Sequence, residues 1–461
     1  MKGDFSRITN LMTFDKHYSL VLMQQGRVHL DSDWNAQALV QWFAIQNLAQ
    51  DLIGPHGGRK DSFKIEPVQG DNNDLRIIRG RYYIEGMVCE NDYGPVSYLH
   101  QRYYSSPPSL ETGTKYLVYM HSWYRHITSV EDGYIREVAL GGPDTTTRLQ
   151  NMWQVKVKPV TDDELQSIYN EYPDRPPSLK ELYGGFLKLI GVDRNPEKAR
   201  LKAKAKKSNN EDDLCIVSPE SRYRGAENQL YRVEIHQSGA ACTAATGDNC
   251  ATFKWSRENG SVVFPIREIR GDTIIVEHLG RDTRFGLIEG DWVEVVNDDY
   301  ELTDDTNEYP VANLLQVIEI KRDTLQVKLS GETQLSDDES KHPLLRRWDH
   351  NGDGEGAIGG ALKVVEDKWI ELEDGIEIKF SNSGANQADS SLYKSRDWWW
   401  ITARTATGDI EWPLDDNDDP LPLEALDHGH RYAPLAIIQF YADGTVPLNE
   451  DLRRKFKRFW V

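Results

Sequence analysis

The sequence has no long apolar run. Among its 461 residues, no stretch approaches the ~20 consecutive apolar residues that a membrane-spanning helix needs. No apolar signal-peptide core follows the opening residues Met1 to Asp4, which argues against Sec export. The mean hydropathy is −0.62, and 39% hydrophobic with 28% charged residues is typical of a globular chain. We therefore expect a cytoplasmic protein of several domains.

Cysteine is scarce. The four cysteines are Cys89, Cys215, Cys242 and Cys250. They are too few for a secreted disulfide scaffold, and none has the C-x-x-C spacing of a zinc or thiol-redox motif. Cys242 and Cys250 enclose a small polar loop. They form either a hairpin disulfide or two reduced thiols at neighbouring strand ends, and a cytoplasmic location favours the thiols.

Basic residues are fewer than acidic residues. Lys and Arg number 54 against 74 Asp and Glu, a formal charge of −20, so we expect no nucleic-acid partner. Basic residues concentrate in residues 196–207 and in the last nine residues. Bases and aromatics alternate in that tail, and we expect it to anchor into a partner subunit. Its proposed interface residues are Arg453, Arg454, Phe456, Phe459 and Trp460.

One clear helix follows an extended opening. Asp31 or Ser32 is the predicted N-cap, and Gly54-Pro55 is the predicted stop. Apolar residues at helical spacing indicate that one side must be buried. That side contains Trp34, Ala38, Ile45, Ala49 and Leu52, with Trp42 beside it. We expect Trp34 and Trp42 to contribute to an interface.

The rest of the chain has mainly strand patterns. Short runs of alternating Tyr, Ile and Val between Gly, Pro, Asp and Asn predict antiparallel β-structure. The fold class we expect is mainly β with an N-terminal helix (α+β), multidomain, with antiparallel sandwiches or small barrels. Asn259-Gly260 predicts a tight hairpin turn, and no repeat of fixed period indicates a solenoid or propeller.

The composition shifts predict six segments. They are residues 1–62 (extended segment plus helix), 63–160 (β domain), 161–213 (helical and basic connector), 214–330 (barrel or sandwich), 331–445 (C-terminal β domain) and 446–461 (basic aromatic tail). The basic stretch at 196–207 lacks an apolar helical face, so we expect an exposed helix or a mobile linker there.

Few motifs point to chemistry. Asp349, Asn351 and Asp353 match the first half of an EF-hand calcium loop, but Gly360 stands where that loop needs a bidentate Glu. They are a weak calcium candidate, with metal-free Asx turns as the alternative, and we expect no other cofactor. His428 and His430 would share one side of a strand, yet no further ligand completes a zinc set.

The run Trp398 to Trp400 has two interpretations. Aromatic faces could line a glycan-binding groove, but strand alternation puts Trp398 and Trp400 on one face, which favours core packing or a subunit interface. We find no nucleophile elbow, P-loop, dinucleotide fingerprint or H-E-x-x-H motif. The residues therefore assign no enzymatic reaction.

Several strings together resemble a known family. They include MKGDFSR, LVLMQQGRVHLDSDWNAQ, IRGRYYIEGMVCEN, YRGAENQLYRVEIHQSG, ATFKWSRENGSVVFP and RYAPLAII, which lie between residue 1 and about 440. The set resembles an uncharacterised domain family associated with phage-tail-like extracellular contractile injection systems.

The resemblance implies a non-enzymatic structural subunit at the cap or cap-adaptor end or at the baseplate. It implies a homo-oligomer in a symmetric particle, with sheath, tube, cap or baseplate proteins as partners. Such a particle assembles in the cytoplasm and is then released or membrane-attached, so any membrane contact is made by the particle. The alternative function is a glycan- or surface-binding module near the tip, and a hydrolase with an Asp/Glu pair ranks third.

Overall fold

The chain is mainly β, as predicted. In a computed structural model it is 38% strand and 15% helix, with several antiparallel sheets and an N-terminal helix. The structure describes residues 1–6, 16–68, 74–170, 176–193, 198–206, 222–243, 247–282, 284–303, 311–333, 335–353, 356–381, 393–441 and 448–456. Within those ranges no helix has both the length and the apolar character needed to cross a membrane.

Helices are few and strands are many along the chain. In sequence order the elements are α1 (Asp31–Ile53), β1 (His56–Gly58), β2 (Ile65–Pro67), β3 (Leu75–Ile77), β4 (Gly80–Ile84), β5 (Met87–Asn91), β6 (Val96–Ser97), β7 (Lys115–Ile127), β8 (Arg148–Pro159), α2 (Asp162–Asn170), α3 (Leu179–Leu189), β9 (Arg200–Ala205), β10 (Gln229–Gln237), β11 (Thr252–Ser256), β12 (Val263–Arg270), β13 (Thr273–Val276), β14 (Trp292–Val296), α4 (Asp298–Leu302), β15 (Leu314–Lys321), β16 (Gln326–Leu329), β17 (Leu344–Trp348), β18 (Ala357–Ile358), β19 (Ala361–Lys363), β20 (Ile370–Glu371), β21 (Ile376–Ser381), β22 (Trp398–Arg404), β23 (Asp409–Glu411), β24 (Leu423–Glu424), β25 (Arg431–Gln439) and β26 (Leu448–Asp451).

The chain divides into two compact units. The barrel unit contains Met1–Thr9, His126–Arg148 and Glu197–Asp427, and the helix unit contains Asn10–Arg125, Leu149–Pro196 and His428–Val461. Each unit is therefore assembled from segments that are distant in sequence.

The barrel unit is built from a barrel and two sheets. Strands β12-β13-β16-β15-β14-β17 close into the barrel, β18-β19-β11-β10-β22-β23 form a six-stranded sheet, and β20-β21-β9-β24 form a four-stranded sheet. The barrel interior is filled by apolar side chains such as Phe264, Val293 and Leu345. The closing strand β17 lies beyond position 330, where composition predicts a segment boundary.

The helix unit contains α1, two three-stranded sheets and a four-stranded sheet. The strand orders are β1-β4-β5, β2-β3-β6 and β26-β25-β7-β8. One apolar core joins Phe63, Tyr82, Met120 and Leu435, all of which are fully buried. In a second cluster, Tyr183 and Phe186 of α3 pack against Leu117 and Ile437.

Within the described part of the basic stretch, Arg200–Ala205 form a strand, so the prediction of a helix or linker is wrong there. Strand β9 pairs with β21 and β24, and Leu201, Ala203 and Ala205 are buried. Its apolar residues recur every second position, which is the period of a strand with one buried face. The lysines occupy the alternate positions.

The turn at Asn259-Gly260 forms, but it does not close a hairpin. Asn259 has φ 50° and Gly260 has φ 64°, and the Ser261 N–H donates to the Glu258 carbonyl at 3.0 Å. These angles are those of a tight primed turn, as predicted. The flanking strands then part, because β11 pairs with β10 and β19 whereas β12 pairs with β13 and β17.

Candidate functional site

Helix α1 turns its apolar face to solvent. Trp34 is 78% exposed, Ile45 65%, Leu48 59% and Leu52 62%, and Val40 is the one buried residue of the helix. The prediction that this face is buried is therefore wrong for the single chain. Other residues of α1 pack against the chain, and the face that carries Trp34 is left uncovered by the residues that the structure describes.

The segment before α1 adds to this surface. Its large apolar side chains are also exposed: Tyr18, Leu20, Leu22, Met23, Val28 and Leu30. The Val21 N–H donates to the side-chain carbonyl of Gln37 at 2.7 Å, which holds this segment beside the helix. We call residues 16–53 the exposed arm and helix. Large apolar side chains exposed together in one segment are a feature of interaction surfaces.

The described part of the basic tail is bound within its own unit. Arg453 pairs with Asp451 at 2.8 Å and donates to the Ser62 carbonyl at 2.6 Å. Arg454 donates to the Ile53 carbonyl, and the Phe456 ring lies 6.2 Å from that of Tyr83. Arg453, Arg454 and Phe456 therefore stabilise the helix unit, contrary to their predicted role as partner anchors. Phe459 and Trp460 lie outside the described residues.

A buried ion network occupies the barrel unit, and no sequence motif revealed it. Strand β10 turns Arg232 and Glu234 to one face, where Glu234 pairs with Arg232 at 2.6 Å and with Lys254 at 3.4 Å. Lys254 also pairs with Glu294 at 2.6 Å, and Lys2 with Glu234 at 3.3 Å. All five side chains are at most 5% exposed. Alternating charges in YRVEIH were the available sequence signal, because strand alternation places them on one face.

The network holds its carboxylates ionised. Burial acts to raise the pKa of Glu294, but the ammonium groups of Lys254 and Lys2 outweigh it and bring that pKa to about 2. The Tyr300 hydroxyl and the Trp348 indole N–H each donate to Glu294 at 3.2 Å. The buried carboxylate of Glu294 is therefore both paired and hydrogen-bonded.

The tryptophans of β22 are structural. Trp398 is 3% exposed, and the Arg232 guanidinium lies 4.3 Å from the centre of its ring. Trp399 is buried in the core and donates to the Leu423 carbonyl. Trp400 is half-buried and donates to the Asn259 side chain at 2.8 Å. The expected interface role of Trp398 and Trp400 is therefore wrong for Trp398, and these contacts leave the strand without an open aromatic groove for a glycan.

Two of the predicted calcium residues, Asp349 and Asn351, line a cleft of about 240 Å³. Asp349 forms an ion pair with Arg347 at 3.2 Å and accepts a hydrogen bond from the Arg257 backbone N–H at 2.9 Å, so its oxygens already have partners. Asn351 accepts from the Asp353 backbone N–H at 3.0 Å, which is the Asx turn. Across the described residues no three His, Cys, Asp or Glu side chains are grouped to hold a metal. The geometry gives calcium no support.

The remaining sequence candidates already have partners. His430 and His121 share a ring-nitrogen hydrogen bond of 2.7 Å, in which one proton lies between the two rings. His428 and His430 precede β25 and are not on a strand. Four residues of the basic stretch form ion pairs with acids on other segments: Lys198 with Asp427, Arg200 with Glu424, Lys204 with Glu377 and Lys206 with Glu371.

The redox state of Cys242 and Cys250 is not the one that the predicted cytoplasmic location favours. Cys242 and Cys250 form a disulfide instead of two reduced thiols. Cys89 is a buried free thiol, and Cys215 lies outside the described residues.

Comparison with known proteins identifies a family for the chain. No curated protein and no solved structure matches the chain. The model of a family described as a family of unknown function, DUF6519, matches residues 1–178 and 190–437. Since this match covers most of the sequence, the chain belongs to the DUF6519 family.

Proposed function

We propose that the protein is a non-enzymatic structural subunit of a bacterial contractile injection system. Its place is the cap or cap-adaptor end of the particle, or the baseplate. The observation that carries the proposal is the exposed arm and helix, residues 16–53, whose apolar side chains face solvent in the single chain. Subunits that work in an assembly bury such surfaces against neighbours, with aromatic side chains as anchors.

The resemblance described above supplies the kind of assembly. The string LVLMQQGRVHLDSDWNAQ, which is part of that resemblance, lies within the exposed arm and helix. The partners we propose are sheath, tube, cap or baseplate proteins, together with further copies of this chain. Contact with a membrane is made by the assembled particle.

The test is to find the chain in native particles. Mass spectrometry and electron microscopy of purified sheath-containing particles should detect it at one end, in a fixed ratio to the tube subunit. A chain with Trp34→Ser and Leu48→Ser should fold but fail to incorporate. The matched control is Ile318→Ser, which removes a 49% exposed apolar side chain from β15. Absence of the wild-type chain from intact particles would contradict the proposal.

A second candidate function is favoured by the cleft beside Asp349. The cleft combines the Trp292 ring with Arg257 and Asn351, a set that suits stacking and hydrogen bonding to a sugar. Calorimetric titration with cell-surface polysaccharide fragments should then show binding that Asn351→Ala weakens. Binding unaffected by that substitution would remove this candidate.

A further inference from the structure

Helix α1 carries a heptad seam on its exposed side. The seam contains Trp34, Ala38, Gln41, Ile45, Leu48 and Leu52, and successive members are 4, 3, 4, 3 and 4 residues apart. All six side chains are exposed. A spacing that alternates 3 and 4 is the pattern of a helix that packs against another helix along its length.

The helix is held to its own unit by the opposite side. Val40 is buried, the Gln46 side chain donates to the Tyr124 hydroxyl, and the Ile53 carbonyl accepts from Arg454. The side chains of Val40 and Gln46 point away from the seam. Beside the seam, Gln37 accepts from the Val21 N–H and the Trp42 ring packs against that of Tyr124. The attachment therefore fixes α1 in place and leaves the full seam available to a second helix.

The flanks of the seam identify a partner of the same kind. In heptad terms the flanking positions are Asn35, Gln37, Trp42, Ala44, Ala49 and Asp51, so a single charge lies beside the seam. The helix contains no Lys or Arg. Nothing in it would select a charged helix of another protein, and two copies would meet without like-charge repulsion along most of the seam.

Side-chain sizes fix the direction of pairing. In an antiparallel pair centred between Gln41 and Ile45, Trp34 meets Leu52 of the partner subunit and Ala38 meets Leu48 of the partner subunit. In a parallel pair, by contrast, each Trp34 meets its own copy, and Asp31 and Asp33 of both copies gather at one end. Antiparallel pairing sets Ala38 against the larger Leu48 of the partner subunit, keeps the two Trp34 rings apart and opposes the helix dipoles.

We propose that α1 pairs antiparallel with α1 of a second copy of this chain. The 23-residue helix spans about 34 Å at 1.5 Å per residue. The exposed side chains of the seam, with those of the preceding arm, supply the apolar surface for such a pair. The inference rests on the proposed function in that it names the partner of the assembly surface.

The experiment measures the mass of the full chain in solution. Sedimentation velocity across the micromolar range should show a dimer. Ile45→Asp with Leu48→Asp should raise the dimer Kd on the order of 100-fold or more, because two charges enter the centre of the seam. Asn47→Asp is the matched control, since it adds a charge to the same turn of the helix away from the seam, and it should leave the dimer intact. Far-UV circular dichroism of each variant confirms folding.

Cysteine crosslinking tests the direction. Under mild oxidation, Ala38→Cys with Leu48→Cys should give a covalent dimer, whereas Ala38→Cys alone should not. Crosslinking by the single variant would show a parallel pair and overturn the proposal.

Other outcomes separate this inference from the proposed function. A monomer that still incorporates into particles would overturn self-pairing and leave the proposed function standing. A dimer that is absent from particles would support self-pairing and contradict the proposed function. A monomer that binds anionic phospholipid vesicles through Trp34 would overturn self-pairing in favour of a lipid surface.

Discussion

Among individual residues, the buried charges of the barrel unit depend on one another. Lys254 stands between Glu234 and Glu294 and lies 4.4 Å from the centre of the Trp348 ring. A buried ion pair adds little net stability over apolar residues of the same size, but an unpaired buried charge is costly. Loss of Lys254 would therefore destabilise the fold by leaving buried carboxylates unpaired.

Replacing Lys254 with Met should lower the free energy of unfolding by about 3–5 kcal/mol, because two buried carboxylates lose their shared partner. Urea unfolding followed by tryptophan fluorescence measures the change. Lys363→Met breaks the exposed pair with Asp248 and should cost less than about 1 kcal/mol. Adding Glu294→Gln to Lys254→Met should recover part of the loss. Equal effects of the two lysine substitutions would contradict the importance of burial.

The conformation of a single residue can be predicted from the sequence where it depends on local backbone preferences. Asn259-Gly260 is recognisable as a turn because both residues tolerate positive φ. The ion network is not recognisable in the same way, since charged residues on a strand usually face solvent. Their burial follows from strands β10, β11 and β14 being brought together, which depends on residues distant in sequence.

Among the secondary-structure elements, α1 is predicted to within one or two residues at each end, although its N-cap is Leu30 and not Asp31 or Ser32. It begins at Asp31 and ends at Ile53, before Gly54 with φ 84°. The periodicity also identifies the correct apolar face. It does not say whether that face is covered by the chain itself or by another molecule, because amphipathic spacing is the same in both cases.

The tail segment 453–456 is expected to stabilise the elements that it joins. Arg453→Ala should lower the stability of the helix unit by about 3 kcal/mol, because it removes a nearly fully buried guanidinium that pairs with Asp451 and leaves the Ser62 carbonyl without that donor. Lys455→Ala is the matched control, since Lys455 pairs with the same carboxylate but is half exposed, and it should change stability by less than about 1 kcal/mol. Chemical denaturation of both variants measures these two changes in the free energy of unfolding. A stable Arg453→Ala variant would return the tail to its predicted role as an external anchor.

For the molecule as a whole, the fold class follows from strand and turn patterns, whereas the assembly of segments does not. Each compact unit joins pieces from three separate parts of the sequence. Composition shifts along the chain predict a boundary near 330, although the barrel closes with β17 at Leu344–Trp348. Long-range pairing of this kind leaves no local signal.

The stability of the protein at acid pH depends on the pKa values of its buried titratable groups. Burial lowers the pKa of His56 and His350 to about 4 and that of His236 to about 3, against 6.5 for an ordinary histidine. As pH falls below 6.5 the unfolded chain takes up these protons first, so each histidine removes about 1.4 kcal/mol of stability per pH unit until its folded pKa is reached. Glu294 causes a further loss of stability between pH 4.5 and about 2, because its carboxylate is protonated in the unfolded chain before it is protonated in the folded one.

We therefore expect stability to fall steadily between pH 6.5 and 4. Denaturant unfolding at half-unit pH steps measures the slope. His350→Gln keeps a donor for the Gly360 carbonyl, which the His350 ring contacts at 2.7 Å. It should lower the slope of unfolding free energy against pH by about 1.4 kcal/mol per pH unit, the contribution of one buried histidine. His278→Gln changes an exposed histidine and should leave the slope unaltered. Stability that stays constant from pH 7 to pH 5 would mean that burial does not hold these histidines neutral in the folded chain.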